Sequence, residues 1–227
     1  MRVTYAGVSP LSGSNGGASI AATAVQLESN LGTGKLSAVI GIEGGHALGG
    51  RVERVAELYA RGVRFMSLSH LSNNELGGTS TPFFGNKPFT PHGREVLDAM
   101  GEVGARPFCS HAGVQGATPI WRNLADETCR AIADKGGVVG IIFAPQFLGG
   151  RTLKHVVRHV AHALEVMGED GVALGSDFDG MIPLPQGMRD VRDLPKLTVA
   201  LLEQGLPVRV VEKVLGENYR RFFGETL

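Results

Sequence analysis

The sequence is short of most features that would settle its class at once. It has 2 cysteines in 227 residues. Cys109 and Cys129 form no CxxC pair, so neither a disulfide framework nor a thiolate metal knuckle is encoded, in keeping with a reducing compartment. Excess charge of either sign is absent: 22 Lys+Arg stand against 22 Asp+Glu, for a formal net charge of +0. No Lys/Arg-rich run is present, which argues against nucleic acid or an anionic membrane surface as a partner. Apolar runs such as Val138–Phe143 fall far short of the roughly 20 residues a membrane span needs. The amino terminus lacks the charged-then-apolar pattern of a signal peptide. The expectation is a cytoplasmic protein, not bound to membrane, whose partners are small molecules or protein.

What is abundant is glycine, 33 of 227 residues, about twice the usual share, and it falls at the ends of short apolar runs. Runs followed by helical patterns are the signature of alternating strands and helices around a parallel sheet. Six strands are predicted, at 2–8, 37–42, 63–70, 106–111, 137–143 and 171–178. Their near-continuous apolar character (AVIGI, VVGIIF) implies that both faces are covered. Thr90 and Pro91 open a helix to about Met100, and Asp193 with Pro195 opens another that Gly205 closes. Between Thr152 and Met167, Leu153, Val156, Val157, Val160, Leu164 and Met167 form a helical stripe stopped by Gly168. Loops are expected at 13–17 and 77–85, and residues 1–227 read as a single domain.

In parallel α/β folds ligands bind beyond the carboxyl ends of the strands. Glu43 follows AVIGI, His70 follows RFMSLS, His111 follows RPFCS, and Asp177 with Asp179 follows VALGS. Histidines and carboxylates gathered on one rim are the residue types that hold divalent metals such as zinc. A single polar residue at a strand end is usually a cap or turn former, but here four strand ends carry one. The glycines of GIEGGHALGG, 41–50, match neither G-x-G-x-x-G nor a GK[ST] ending, so they read as a loop that needs close backbone approach.

Other candidates have plainer readings. His46 reads as loop packing beside Glu43, and His92 as a surface residue in a first helical turn. His155, His159 and His162 share one helix face, read as solvated. Cys109 shares a strand face with His111, which leaves it either lining the site or buried in the structure. Trp121, beside Arg122, is either a pocket wall or a packing residue.

Seven segments in order resemble the membrane dipeptidase, or renal dipeptidase, family of zinc peptidases. They are GIEGGHALG, LSHLSNNE, FTPHGREVLDAM, SHAGVQGATPIWRNLADE, GGVVGIIF, GSDFDG and VLGENYRRFF. The resemblance implies a TIM-like (β/α) barrel and hydrolysis of dipeptides or related small amides by a metal-activated water. It implies Glu43 and His111 as zinc ligands. It further implies Arg122, His70 and Asp177 as substrate-binding residues, with His70 and Asp177 also catalytic.

The departures are as specific as the match. The family's first strand carries an H-x-D pair of zinc ligands; no HxD occurs in this chain, which begins too late to hold that strand. A further strand and helix bearing a histidine ligand are replaced by GEVGA at 101–105, running almost directly into RPFCSH. The expectation is an incomplete barrel of about six of eight strands, with three of five family zinc ligands absent. Such a chain binds one zinc at most, or none, and forms a homo-oligomer that covers its open strand edges. The alternative is a catalytically degenerate family member serving as a small-molecule-binding or protein-interaction scaffold.

Overall fold

The structure, a computed structural model, describes residues 17–79 and 87–227. The predicted strand at 2–8 lies outside them, as do most of the loops at 13–17 and 77–85. The chain divides into two compact units, Met1–Ala105 with Phe223–Leu227, and Arg106–Phe222.

In the first unit β1 (Ala18–Ile20) leads into α1 (Ala24–Gly32), whose first turn is capped by the Thr23 hydroxyl accepting from the Gln26 N–H. β1 pairs in parallel with β2 (Leu36–Ala38). One residue later β3 (Ile40–Ile42) pairs in parallel with β4 (Val63–Met66), with α2 (Arg54–Ala60) between them. The predicted strand at 37–42 is therefore two short pairings that change partner at Val39. α3 (Pro91–Glu102) begins as its sequence requires: Pro91 stands in the first turn, and the Thr90 hydroxyl accepts from the Gly93 N–H at 3.0 Å. Leu48, Val55, Leu76 and Val96 form this unit's buried core. β1 was not predicted, because three residues reading ASI carry too little pattern.

The second unit holds β5 (Cys109–Ala112), α4 (Asp126–Asp134), β6 (Val139–Ile141), α5 (Pro145–Leu148), α6 (Leu153–Met167) and β7 (Val172–Leu174). It continues through α7 (Leu194–Glu203), α8 (Val208–Glu212), a π turn and the start of α9 (Asn218–Thr226), whose residues from Phe223 onward count with the first unit. β5, β6 and β7 form one parallel sheet in that order. All three residues of β6 are buried, which matches its apolar sequence and the helices that cover it. The core joins Val139, Ile141 and Phe143 to Val156, Val157 and Val160 of α6 and to Leu197 and Leu201 of α7.

The sheet is held tightly at two glycines. A Cβ on Gly140 would overlap the Ser110 carbonyl oxygen and the Tyr219 hydroxyl, and one on Gly175 would overlap the same carbonyl. β5 and the segment after β7 thus approach each other across β6, a curvature that any side chain there would block. The fold is mixed α/β with short parallel sheets. Among the described residues the strands form pairs and a triplet rather than a closed ring.

Candidate active site

Glu43 is the first residue beyond β3 and His70 lies four beyond β4, so both extend from the carboxyl ends of paired parallel strands. Glu43 Oε2 stands 3.5 Å from His70 Nε2, with about half of each side chain exposed. The GIEGG glycines serve packing: a Cβ on Gly41 would overlap the Phe65 ring, and Gly44, at φ +106°, donates its N–H to the Ser67 hydroxyl at 2.8 Å. The close backbone approach expected of 41–50 is found at these glycines, but the segment is not a loop throughout: Gly41 and Ile42 belong to β3 and Gly45–Leu48 form a 3-10 turn. His46 lies 3.2 Å from the Ser72 hydroxyl and 3.4 Å from the Asn74 amide nitrogen.

In the second unit His111 occupies the penultimate position of β5, with Nδ1 2.9 Å from the Ser110 hydroxyl. Arg122, in the loop between β5 and α4, donates from Nη2 to the His111 carbonyl oxygen at 3.3 Å, and its guanidinium stands 5.6 Å from the centre of the Phe147 ring. These contacts position a planar cation of the kind that recognises carboxylates. Trp121, 54% exposed, is not packed into the core. The Cys109 thiol is raised by burial, opposed by the Arg122 charge; it is protonated and a poor nucleophile at neutral pH.

Asp177 lies three residues beyond β7 in the left-handed region, at φ +58°, and Asp179 and Met181 follow at +64° and +58°. Such a conformation costs a non-glycine residue about 1–2 kcal/mol. Three in five positions mark a segment whose shape the surrounding structure imposes.

The histidine face of α6 differs from its solvated reading. His159 is fully buried: Nδ1 accepts from the Val114 N–H at 3.0 Å, and Nε2 donates toward the Leu148 carbonyl at 3.3 Å, with the Thr118 hydroxyl at 3.1 Å. Burial chiefly drives its pKa down to about 4, so the imidazole is neutral at pH 7. His155 turns back to accept from the Thr152 N–H at 3.3 Å at the start of α6, and His162 pairs with Asp126 of α4 at 2.9 Å. The periodicity that places three histidines on one face could not show that α4 and the 114–118 loop pack over it. His159 thereby anchors the loop that follows His111, a role with no sequence signal.

Among the described residues no group of three or more His, Cys, Asp or Glu side chains could hold a metal ion. A catalytic zinc takes three protein ligands and a water, whereas among the strand-end candidates Glu43 and His70 approach as a pair without a third described donor. The residues present therefore do not by themselves fit a zinc site.

Glu43 and His70 in the first unit, and His111, Arg122 and Asp177 in the second, each stand at or beyond the carboxyl end of a parallel strand, the end at which α/β folds carry their ligand sites. The sequence profile of the membrane dipeptidase family, peptidase family M19, matches residues 12–106 and 102–226. The chain belongs to this family. It is 29% identical over 222 residues to an uncharacterized dipeptidase of Schizosaccharomyces pombe, covering 84% of this chain and 53% of that protein. It is likewise 29% identical over 221 residues to the dipeptidase tcpJ of Claviceps purpurea, covering 85% and 52%. The chain spans about half the length of the curated relatives it matches. A crystal structure of a Rhodobacter sphaeroides metallopeptidase, liganded with a phosphinate mimic of the dipeptide L-Ala-D-Ala, superposes with a TM-score of 0.79 at 26% identity, over 92% of this chain and 69% of that one. An amidohydrolase of Pseudomonas aeruginosa shares the fold, with a TM-score of 0.81 at 24% identity over 92% and 78%.

Proposed function

We propose that the chain is a dipeptidase-type hydrolase acting on dipeptides or related small amides. The observation that carries this reading is the placement of Glu43, His70, His111 and Asp177 at or just beyond the ends of β3, β4, β5 and β7, with Arg122 in the loop that follows β5. Arg122 suits the substrate carboxylate, since a guanidinium accepts one in a two-point hydrogen bond. His70 and Asp177 are assigned proton handling and substrate contact, the roles that imidazole and carboxylate groups take in general acid–base catalysis. Glu43 stands beside His70, its Oε2 3.5 Å from the His70 Nε2.

Glu43 and His111 are the metal ligands of this reading, with zinc at no more than one per chain. Since the described donors do not complete a site, the remaining ligands must come from elsewhere, and a second copy of the chain is one source. The two stretches of the family match meet at 102–106, which supports the loss of a strand and helix there. The fold that accompanies this reading is one dipeptidase-like domain over 1–227, an incomplete (β/α) barrel with an open edge that favours homo-oligomers. Among the described residues no helix is long and apolar enough to cross a membrane.

Zinc content after chelator-free purification, followed by hydrolysis of a dipeptide panel with added Zn²⁺, tests the reading. Turnover that Glu43→Gln and His111→Ala each abolish supports it. Absence of turnover with every dipeptide and metal tried refutes it, and dipeptide binding without turnover makes the chain a binding member of the family. Two fully occupied metals per chain refute the single-metal assignment. Light scattering that shows a stable monomer at micromolar concentration refutes the oligomer.

A further inference from the structure

Asn123, next in sequence to Arg122, is polar and yet only 4% exposed. Its amide joins two loops of the second unit. Nδ2 donates to the Thr118 carbonyl at 2.9 Å, within the β5–α4 loop, and to the Phe147 carbonyl at 2.8 Å, in α5. An amide nitrogen carries two hydrogens, and both end on carbonyls, which settles the orientation of the group. Oδ1 is buried and accepts no hydrogen bond among the described residues. A buried acceptor left without a partner costs about as much as one or two hydrogen bonds contribute, so the side chain adds little net stability. What its two donated bonds supply is position.

That position passes to Arg122 through Phe147. The Phe147 carbonyl is held by Asn123, and the Phe147 ring stands 5.6 Å from the Arg122 guanidinium, within cation–π range. The next carbonyl, of Leu148, accepts from Thr118 Oγ1 at 3.0 Å and from Arg158 Nη2 at 2.9 Å, so α5 is tied to the β5–α4 loop at two successive residues. The loop is closed at its base, where the Leu124 N–H donates to the Gly113 carbonyl at 3.0 Å. Gly113 also makes room for the amide, since a Cβ there would overlap the Asn123 side chain. Arg122 itself donates one described side-chain hydrogen bond, to the His111 carbonyl, which leaves most of a guanidinium's N–H groups for a ligand.

We propose that Asn123 is a positioning residue for Arg122: its amide locks α5 to the β5–α4 loop, so that the Phe147 ring and the His111 carbonyl hold the guanidinium at one angle. Preference for a free carboxylate over the corresponding amide is then set by Asn123, which itself touches no ligand. That Arg122 receives a substrate carboxylate rests on the dipeptidase reading above; the lock itself does not.

The test uses the full chain labelled with ¹⁵N, with the Arg122 Nε–H resonance assigned by its loss in Arg122→Lys. N-Acetyl-L-alanine and N-acetyl-L-alaninamide are titrated, each with and without added Zn²⁺. Asn123→Ala removes the lock. Gly113→Ala keeps Asn123 and displaces its amide with a methyl group whose nearest neighbours are side-chain atoms of Asn123, so it decides alone if Asn123→Ala does not fold. Thr90→Ala, in the first unit, controls for general destabilisation. In the wild type, Arg122 Nε–H is expected to be ordered on the picosecond–nanosecond timescale by its heteronuclear NOE and to shift saturably with the acid, more weakly with the amide. In Asn123→Ala and Gly113→Ala that order is lost and affinity for the acid falls about tenfold, the fold-change one hydrogen bond carries, while affinity for the amide and the behaviour of Thr90→Ala stay unchanged. The double variant loses no more than either single one, because both act on one amide. Where dipeptides are turned over, KM rises by the same factor and kcat is kept. The proposal is overturned if the wild-type Arg122 signal does not answer the acid, if Arg122 stays ordered in the folded variants, or if affinities for acid and amide fall together. A wild type that hydrolyses dipeptides while the variants keep Arg122 ordered overturns the lock alone. A wild type whose Arg122 answers the acid, and loses order in the variants, without hydrolysing any dipeptide supports the lock and overturns the dipeptidase reading alone.

Discussion

Protonating His159 should unfasten the loop behind His111. The folded-state pKa of about 4 lies below the ordinary histidine value near 6.5, so the unfolded chain takes up a proton that the folded chain refuses. The stability contributed is therefore fully present above about pH 6.5 and is lost as pH falls toward 4. A gap of about 2.5 pH units at about 1.4 kcal/mol each corresponds to roughly 3.5 kcal/mol, a large share of a typical folding free energy of about 5–15 kcal/mol. His159→Asn keeps an acceptor toward the Val114 N–H and removes the titration. It should cost about 2–3 kcal/mol at pH 7, through the lost Leu148 hydrogen bond and the space vacated, while flattening the dependence on pH. Urea unfolding of both proteins between about pH 7 and pH 4.5 isolates the effect. Carboxylates such as Asp193, held well below the usual range by hydrogen bonds from Arg189 and Lys196, titrate alike in the two chains and cancel. A stability difference between wild type and variant that does not narrow as pH falls would refute the reasoning.

Gly140→Ala should destabilise by about 2 kcal/mol or more, because its Cβ meets backbone that overpacking must displace. Gly224→Ala, with open space around it in α9, should stay within about 1 kcal/mol and lean toward stabilisation; thermal melts compare the pair. Thr90→Ala should cost about 1 kcal/mol through the lost cap on α3, read as a lower denaturant midpoint at unchanged slope.

The sequence by itself determined the alternation of strands and helices, because strand runs such as VVGIIF are apolar throughout and helix starts such as Thr90–Pro91 carry their own caps. The same local chemistry located Glu43, His70, His111 and Asp177 at strand ends, and the ordered motifs identified the family. Tertiary structure decided what those residues meet. The 3.5 Å approach of Glu43 to His70 depends on the parallel pairing of β3 with β4, and the change of partner at Val39 has no signature in a run of apolar residues. Burial of His159 depends on packing by distant segments, invisible to a helical repeat that fixes only which residues share a face. The left-handed backbone at Asp177, Asp179 and Met181 is a conformation that local propensity disfavours and only the surrounding fold can impose.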